Sequence, residues 1–149
     1  MGKTYATEGS GTPGTNKTML TVIAAATVRP KVKYICIGAG GTPADQAGVF
    51  VARRITADGT GTSVTPTPLD PADVAALATS KENYSAEPTY ASNAALLVVG
   101  MNQRNTFQWW AIDDEGALVV AATAGAGLGI KSESHTATPT TDVTMHWQE

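Results

Sequence analysis

Cysteine, histidine, charge and long apolar runs are all scarce in this chain. The one cysteine, Cys36, excludes an intrachain disulfide framework and a cysteine-rich zinc site. The two histidines, His135 and His146, argue against a multi-histidine metal centre. Charged residues make up 15% of the chain, well below the usual quarter or so. Ten Lys and Arg against 13 Asp and Glu leave a net charge of −3, which argues against direct nucleic-acid binding. The longest apolar run, Ala94–Gly100, falls far short of the ~20 residues of a membrane helix. The polar N-terminal stretch MGKTYATEGSGTPGTNKT has no apolar signal region. These absences predict no membrane partner, and a chain that is soluble or joins a soluble assembly.

What is present is small and strand-like. The 149 residues suit one domain, and 42% hydrophobic residues suffice for a core. Counts of 24 Ala, 22 Thr and 15 Gly, with few Lys and Glu, do not suit a helical bundle. Residues 1–17 are rich in Gly and Thr and read as an extended N-terminal arm, loose or ordered against a neighbouring subunit. Thr12, Pro13 and Thr15 are its candidate interface residues. Residues 18–149 form the expected β-sandwich domain.

Strand-length apolar segments follow at Met19–Ala26, Lys31–Gly38, Val49–Thr56, Leu96–Met101, Thr106–Ile112, Ala117–Ala122, Leu128–Ser132 and Thr141–Gln148. Ser63–Thr65 reads as a short edge strand. Alternation in Lys31–Gly38 groups Val32, Tyr34 and Cys36 on one face. In Thr141–Gln148 it groups Val143, Met145 and Trp147 against Thr144, His146 and Gln148. Asp70-Pro71-Ala72-Asp73 carries helix-start signals and predicts one short helix over Pro71–Ala78. Thr79–Asn93 is polar and reads as a long connection, with a short strand near Glu87–Thr89. The whole predicts an all-β single sandwich, jelly-roll or Greek-key in type. Its candidate core is Tyr34, Val51, Phe107, Trp109, Val143, Met145 and Trp147.

The chemistry-bearing motifs are weak. The Gly38–Gly41 stretch GAGG lacks the third glycine of a dinucleotide loop, since Pro43 stands there, so a turn is the better reading. Asp113, Asp114 and Glu115 read as a charged hairpin tip rather than a calcium site. No nucleophile-elbow GxSxG occurs. No catalytic, cofactor-binding or metal-binding residue is therefore assigned, and a non-enzymatic protein without cofactor is expected. In the aromatic strand, Phe107 and Trp109 share a face and Trp110 points the other way. Trp110 and His146 are the candidate interface residues of the domain.

The stretches GTPGTNKTML, GTPADQAG, VTPTPLDPAD, MNQRNTFQWWA and TDVTMHWQE, in that order, resemble a family of small virion structural proteins of tailed bacteriophages. The resemblance runs over nearly the whole chain, and Trp110 departs from it where an aliphatic residue is expected. It implies a jelly-roll-like sandwich acting as a capsid decoration or cement protein. The implied partners are like subunits, a homo-oligomer with a trimer favoured, and the major capsid protein. The implied location is the capsid exterior of the virion, after synthesis in the host cytoplasm. Two alternatives stand beside it: another virion or filament subunit (fibre, collar or main shell protein), or a carbohydrate-binding β-sandwich module using Trp110.

Overall fold

The computed structural model describes residues 2–149; Met1, the first residue of the expected arm, lies outside them. Among the described residues there are twelve strands and no helix. The strands are β1 (Thr4–Gly11), β2 (Lys17–Ile23), β3 (Lys31–Ala39), β4 (Ala47–Ala57), β5 (Thr60–Val64), β6 (Thr67–Pro68), β7 (Thr79–Ala86), β8 (Thr89–Asn102), β9 (Phe107–Trp110), β10 (Leu118–Val119), β11 (Gly127–His135) and β12 (Thr141–Gln148).

They form two antiparallel sheets packed face to face. One has the order β10-β3-β12-β1-β6, with β9 also paired to β3; the other is β5-β7-β2-β11-β4-β8. The chain changes sheet at each of its first three connections and again between β11 and β12. As a result β12 lies between β1 and β3, while β11 lies between β2 and β4. That is the strand order of a jelly roll, two Greek keys wrapped around one core. Strands β5, β6 and β7 are an insertion that widens both sheets on the side of β1 and β2.

The alternation of β12 builds the centre of the core. Val143, Met145 and Trp147 are fully buried, and Val143 and Met145 stand opposite Ile37 and Ile35 of β3. From the facing sheet come Leu20, Val22, Leu128 and Ile130. Each large apolar side chain buried this way contributes about 1.5–3 kcal/mol. Phe107 and Trp109 are only half-buried at the margin of this core. Val51 is buried too, but on the outer face of its sheet, because Phe50 and Ala52 take the inward positions.

Several expectations need correction. The N-terminal segment is extended, but it is a strand of the sandwich rather than an arm. β1 pairs along its whole length with β12, from Thr4 opposite Gln148 to Gly11 opposite Thr141. Tyr5, Thr7 and Gly9 face inward, and Tyr5 packs against Trp147 at 6.0 Å between ring centroids. A Cβ at Gly9 would press on Leu20 and the Met19 backbone, so its lack of a side chain serves close packing. Pro13 is buried, and Ser132 Oγ donates to the Gly14 carbonyl (2.5 Å) and accepts the Gly14 N–H (2.9 Å). Thr12 and Thr15 are exposed.

Tyr34 is not a core residue. Opposite β12 the register slips between Val32 and Tyr34, so Lys33 is an extra residue and the phase of β3 inverts after it. Val32, Ile35 and Ile37 then point inward, and Tyr34 and Cys36 outward. No helix forms over 71–78. Asp70 caps a single turn, its Oδ1 taking the Ala72 N–H (2.9 Å) and its carbonyl the Asp73 N–H (3.0 Å). Beyond that turn, the backbone is held by distant partners. Tyr5 Oη donates to the Val74 carbonyl (3.1 Å), and the Glu149 carboxylate accepts from Leu77 (2.6 Å) and Ala78 (3.1 Å). The expected connection over 79–93 is mostly strand, β7 and the start of β8, with Glu87 and Pro88 in the turn between them. The strand expected over Ala117–Ala122 shrinks to Leu118–Val119.

Candidate interface on the open flank of the sandwich

In the jelly-roll order β8 ends one sheet, while β9 and β10 end the other on the same side. Six half-buried apolar side chains that touch the core lie on these strands: Leu96, Leu97, Met101, Phe107, Trp109 and Leu118. The core therefore runs out to the surface along this flank. Val98 and Trp110 beside it are 63% and 59% exposed, and Ile112 is 99% exposed. From Thr89 to Ile112 the only charged residue is Arg104.

The local sequence explains this arrangement. Pairing of Ile35 with Trp109 and of Tyr34 with Trp110 sets one tryptophan on each side of the sheet. Trp109 follows Ile35 inward, and Trp110 follows Tyr34 outward. Tyr34 also stands opposite His146, so three aromatic rings form a row across β9, β3 and β12. Ring centroids are 5.0 Å apart between Tyr34 and Trp110 and 4.8 Å between Tyr34 and His146, with tilted planes. Tilted contacts of this kind suit the ring quadrupoles. Burial in the row lowers the His146 pKa, so the ring tends to stay neutral. Beyond β9, Asp114 binds Lys33 (2.5 Å) and Lys31 (3.8 Å), and these ammonium groups hold its carboxyl below the usual range. Asp113 Oδ1 accepts the Gly116 N–H (2.7 Å), which fixes the reversal after Trp110.

The outer face of the other sheet is covered by its own chain. Tyr84 Oη lies 2.7 Å from Thr21 Oγ1 and donates to Asp58 (3.2 Å), which also pairs with Lys81 (2.6 Å). Tyr90 Oη lies 2.7 Å from Thr18 Oγ1, whose hydroxyl and N–H both donate to Glu87. Burial pushes both phenol pKa values well up, so both stay protonated as hydrogen-bonding groups. Gly129 makes room: a Cβ there would meet the Tyr90 hydroxyl and Ile55.

Of the interface candidates, Trp110 and His146 share one face, joined through Tyr34. Thr12 and Thr15 lie in the β1–β2 connection, away from that row. The sequence marks Leu96–Met101 as an apolar strand but does not say which of its faces or edges stays uncovered. The charge gap between Thr89 and Ile112 was the available signal. Among the described residues no three His, Cys, Asp or Glu side chains gather as a metal site would require. What the flank offers instead is desolvation of apolar side chains and an unpaired strand edge. No family model matches the chain, and neither a curated protein nor a solved structure matches it.

Proposed function

We propose that this chain is a non-enzymatic structural subunit, a capsid decoration or cement protein of a tailed-bacteriophage head, working through contacts with like subunits and the shell. The observation that supports the reading most is the open flank, where core side chains reach the surface uncovered. Large exposed apolar patches on small domains mark interaction surfaces. Permanent subunit contacts are also more apolar than transient ones. The jelly-roll strand order and the sequence resemblance to small virion proteins agree with it. The aromatic row of Trp110, Tyr34 and His146 adds rigid side chains of the kind that dominate binding energy.

Protein mass spectrometry of purified particles carrying this gene, with surface labelling of intact heads, tests the reading. A decoration protein is present in fixed proportion to the shell subunit and is labelled from outside. Copies numbering a few per particle would point to a fibre or collar component. Absence from particles, with glycan binding lost on Trp110→Ala, would replace the proposal by a carbohydrate-binding module.

A further inference from the structure

We infer that a second copy of this chain closes the open flank, related by a two-fold axis, with β8 pairing antiparallel to its own counterpart. The inference rests on the subunit reading above and names the partner of that surface.

The first argument is the edge itself. β8 pairs with β4 on one side and ends its sheet on the other. Its two halves differ. The register against β4 is regular from Leu97 to Asn102, opposite Ala52 to Ala47. Before Leu97 it is broken by repeated shifts, and Asn93 takes a φ of 52°. Natural edges avoid pairing through bulges, prolines and charges, lysine above all. The first half of β8 carries bulges; Leu97–Met101 carries none of these devices.

The second argument is self-complementarity. Residues directly opposite in a continuous sheet must share a face, so only alternate registers keep the apolar side inward. An axis at Val99 satisfies this. It sets Leu97 opposite Met101 on the inner face and Val98 opposite Gly100 on the outer face. The same axis brings the two β9 edges toward each other over the half-buried Phe107 and Trp109. A contact of this kind matches one patch to itself, as an isologous interface requires.

The third argument is charge. Arg104 is exposed in the turn before β9, while Asp113 and Glu115 are exposed beyond its other end. Asp114 is engaged by Lys33 and Lys31. A two-fold axis reverses direction, so the basic end of each flank meets the acidic end of the other. The apolar strip lies between two such pairs.

Sedimentation velocity of the full purified chain over a range of concentrations reads the outcome. A dimer is expected. Val98→Lys puts a charge on the exposed side of the edge, where Val98 supports no core contact, and should give a folded monomer by circular dichroism. Arg104→Glu should weaken the dimer about tenfold, because the two-fold axis removes both charge pairs at once and each exposed pair is worth about threefold. Adding Glu115→Arg to it should restore affinity. A monomer at all concentrations, a trimer, or a dimer indifferent to both Val98→Lys and Arg104→Glu would overturn the inference. The two readings fail separately: a dimer absent from particles removes the virion role and keeps the contact, while a particle-bound monomer does the reverse.

Discussion

The two flanks of the sandwich are finished in opposite ways. On the side of β1 and β2 the chain seals itself. The insertion adds β5, β6 and β7, and the segment that follows β6 is tied down through its backbone. Leu69 N–H donates to the Thr4 carbonyl (2.8 Å), Tyr5 to Val74, and Leu77 and Ala78 to Glu149. Leu69, Val74 and Leu77 still point into solvent there. On the side of β8, β9 and β10 the situation is reversed. The apolar side chains lean on the core, and the strand edges are unpaired. Both sides end in strands with a free edge, but β5 and β6 are short, mostly polar and set among prolines, which deter pairing, whereas β8 is long and largely apolar, so the contrast lies in the chemistry of the edge. A side can expose leucines with its backbone tied down, while another keeps its apolar groups half-covered beside an unpaired edge.

The largest expected difference between interior and flank is at two tryptophans. Trp147 is fully buried between the sheets, and Trp110 stands outside them. Trp147→Ala should cost ~3–5 kcal/mol, since a cavity replaces a packed ring. Trp110→Ala should change stability by less than about 0.5 kcal/mol, the usual range for a surface position. Urea denaturation of each variant as a dissociated chain measures both. Equal losses would mean that the aromatic row on the outer face carries as much of the fold as the core does.

That contrast was half legible in the residues. The clean alternation of β12 puts Val143, Met145 and Trp147 on one face from the residues alone, and two adjacent tryptophans in a strand, Trp109 and Trp110, must split across a sheet. Strand β3 was readable as a strand but not in phase, because one extra residue at Lys33 moves Tyr34 and Cys36 to the other face. No pattern of hydropathy signals such a slip. Strand β1 was hidden for a different reason. Its inward positions are Tyr5, Thr7 and Gly9, and only one of the three looks like core. Thr7 is acceptable there because its hydroxyl lies 2.9 Å from Ser80 Oγ. The helix over 71–78 had correct start signals and lost to tertiary partners for its backbone. The flank itself was written in the sequence as missing charge, a signal that marks a surface without saying which face it is on.

The sealed side can be opened at its fastening. Glu149 accepts two backbone N–H groups from Leu77 and Ala78, one exposed and one partly buried. Glu149→Gln keeps the size and one acceptor while removing the charge. It should cost about 1 kcal/mol, below the ~1.5–3 kcal/mol of buried charge-assisted hydrogen bonds because water competes at this site. Amide exchange should rise at Leu77 and Ala78 and stay unchanged in β8. If exchange rose equally on both sides, the two flanks would be one cooperative unit and the contrast between them would fail.

The smallest effect at neutral pH, and one that grows in acid, lies at the end of β11. His135 stands opposite Gly48, which stands opposite Met101 of β8, so the ring lies on the row leading to the open flank. It packs edge-on against Phe50, with 4.5 Å between centroids, in space left by the missing side chain of Gly48. Neither ring nitrogen makes a hydrogen bond of normal geometry. Burial lowers the imidazole pKa below its ordinary 6.5, and a loose contact with the Val49 backbone only partly opposes this. A histidine with a depressed folded pKa takes its proton more readily in the unfolded chain. Its contribution to stability is therefore level above about pH 7 and falls as the pH drops through the unfolded value near 6.5. His146, also lowered by burial, acts in the same direction. Denaturation midpoints measured at pH 7.5 and 5.5, above the main carboxylate range, should show a loss in acid. His135→Phe keeps a flat ring beside Phe50 and should remove part of that loss, leaving the share of His146. An unchanged pH dependence in His135→Phe would place the acid sensitivity outside this row, and the open flank would then contain no titrating weak point of its own.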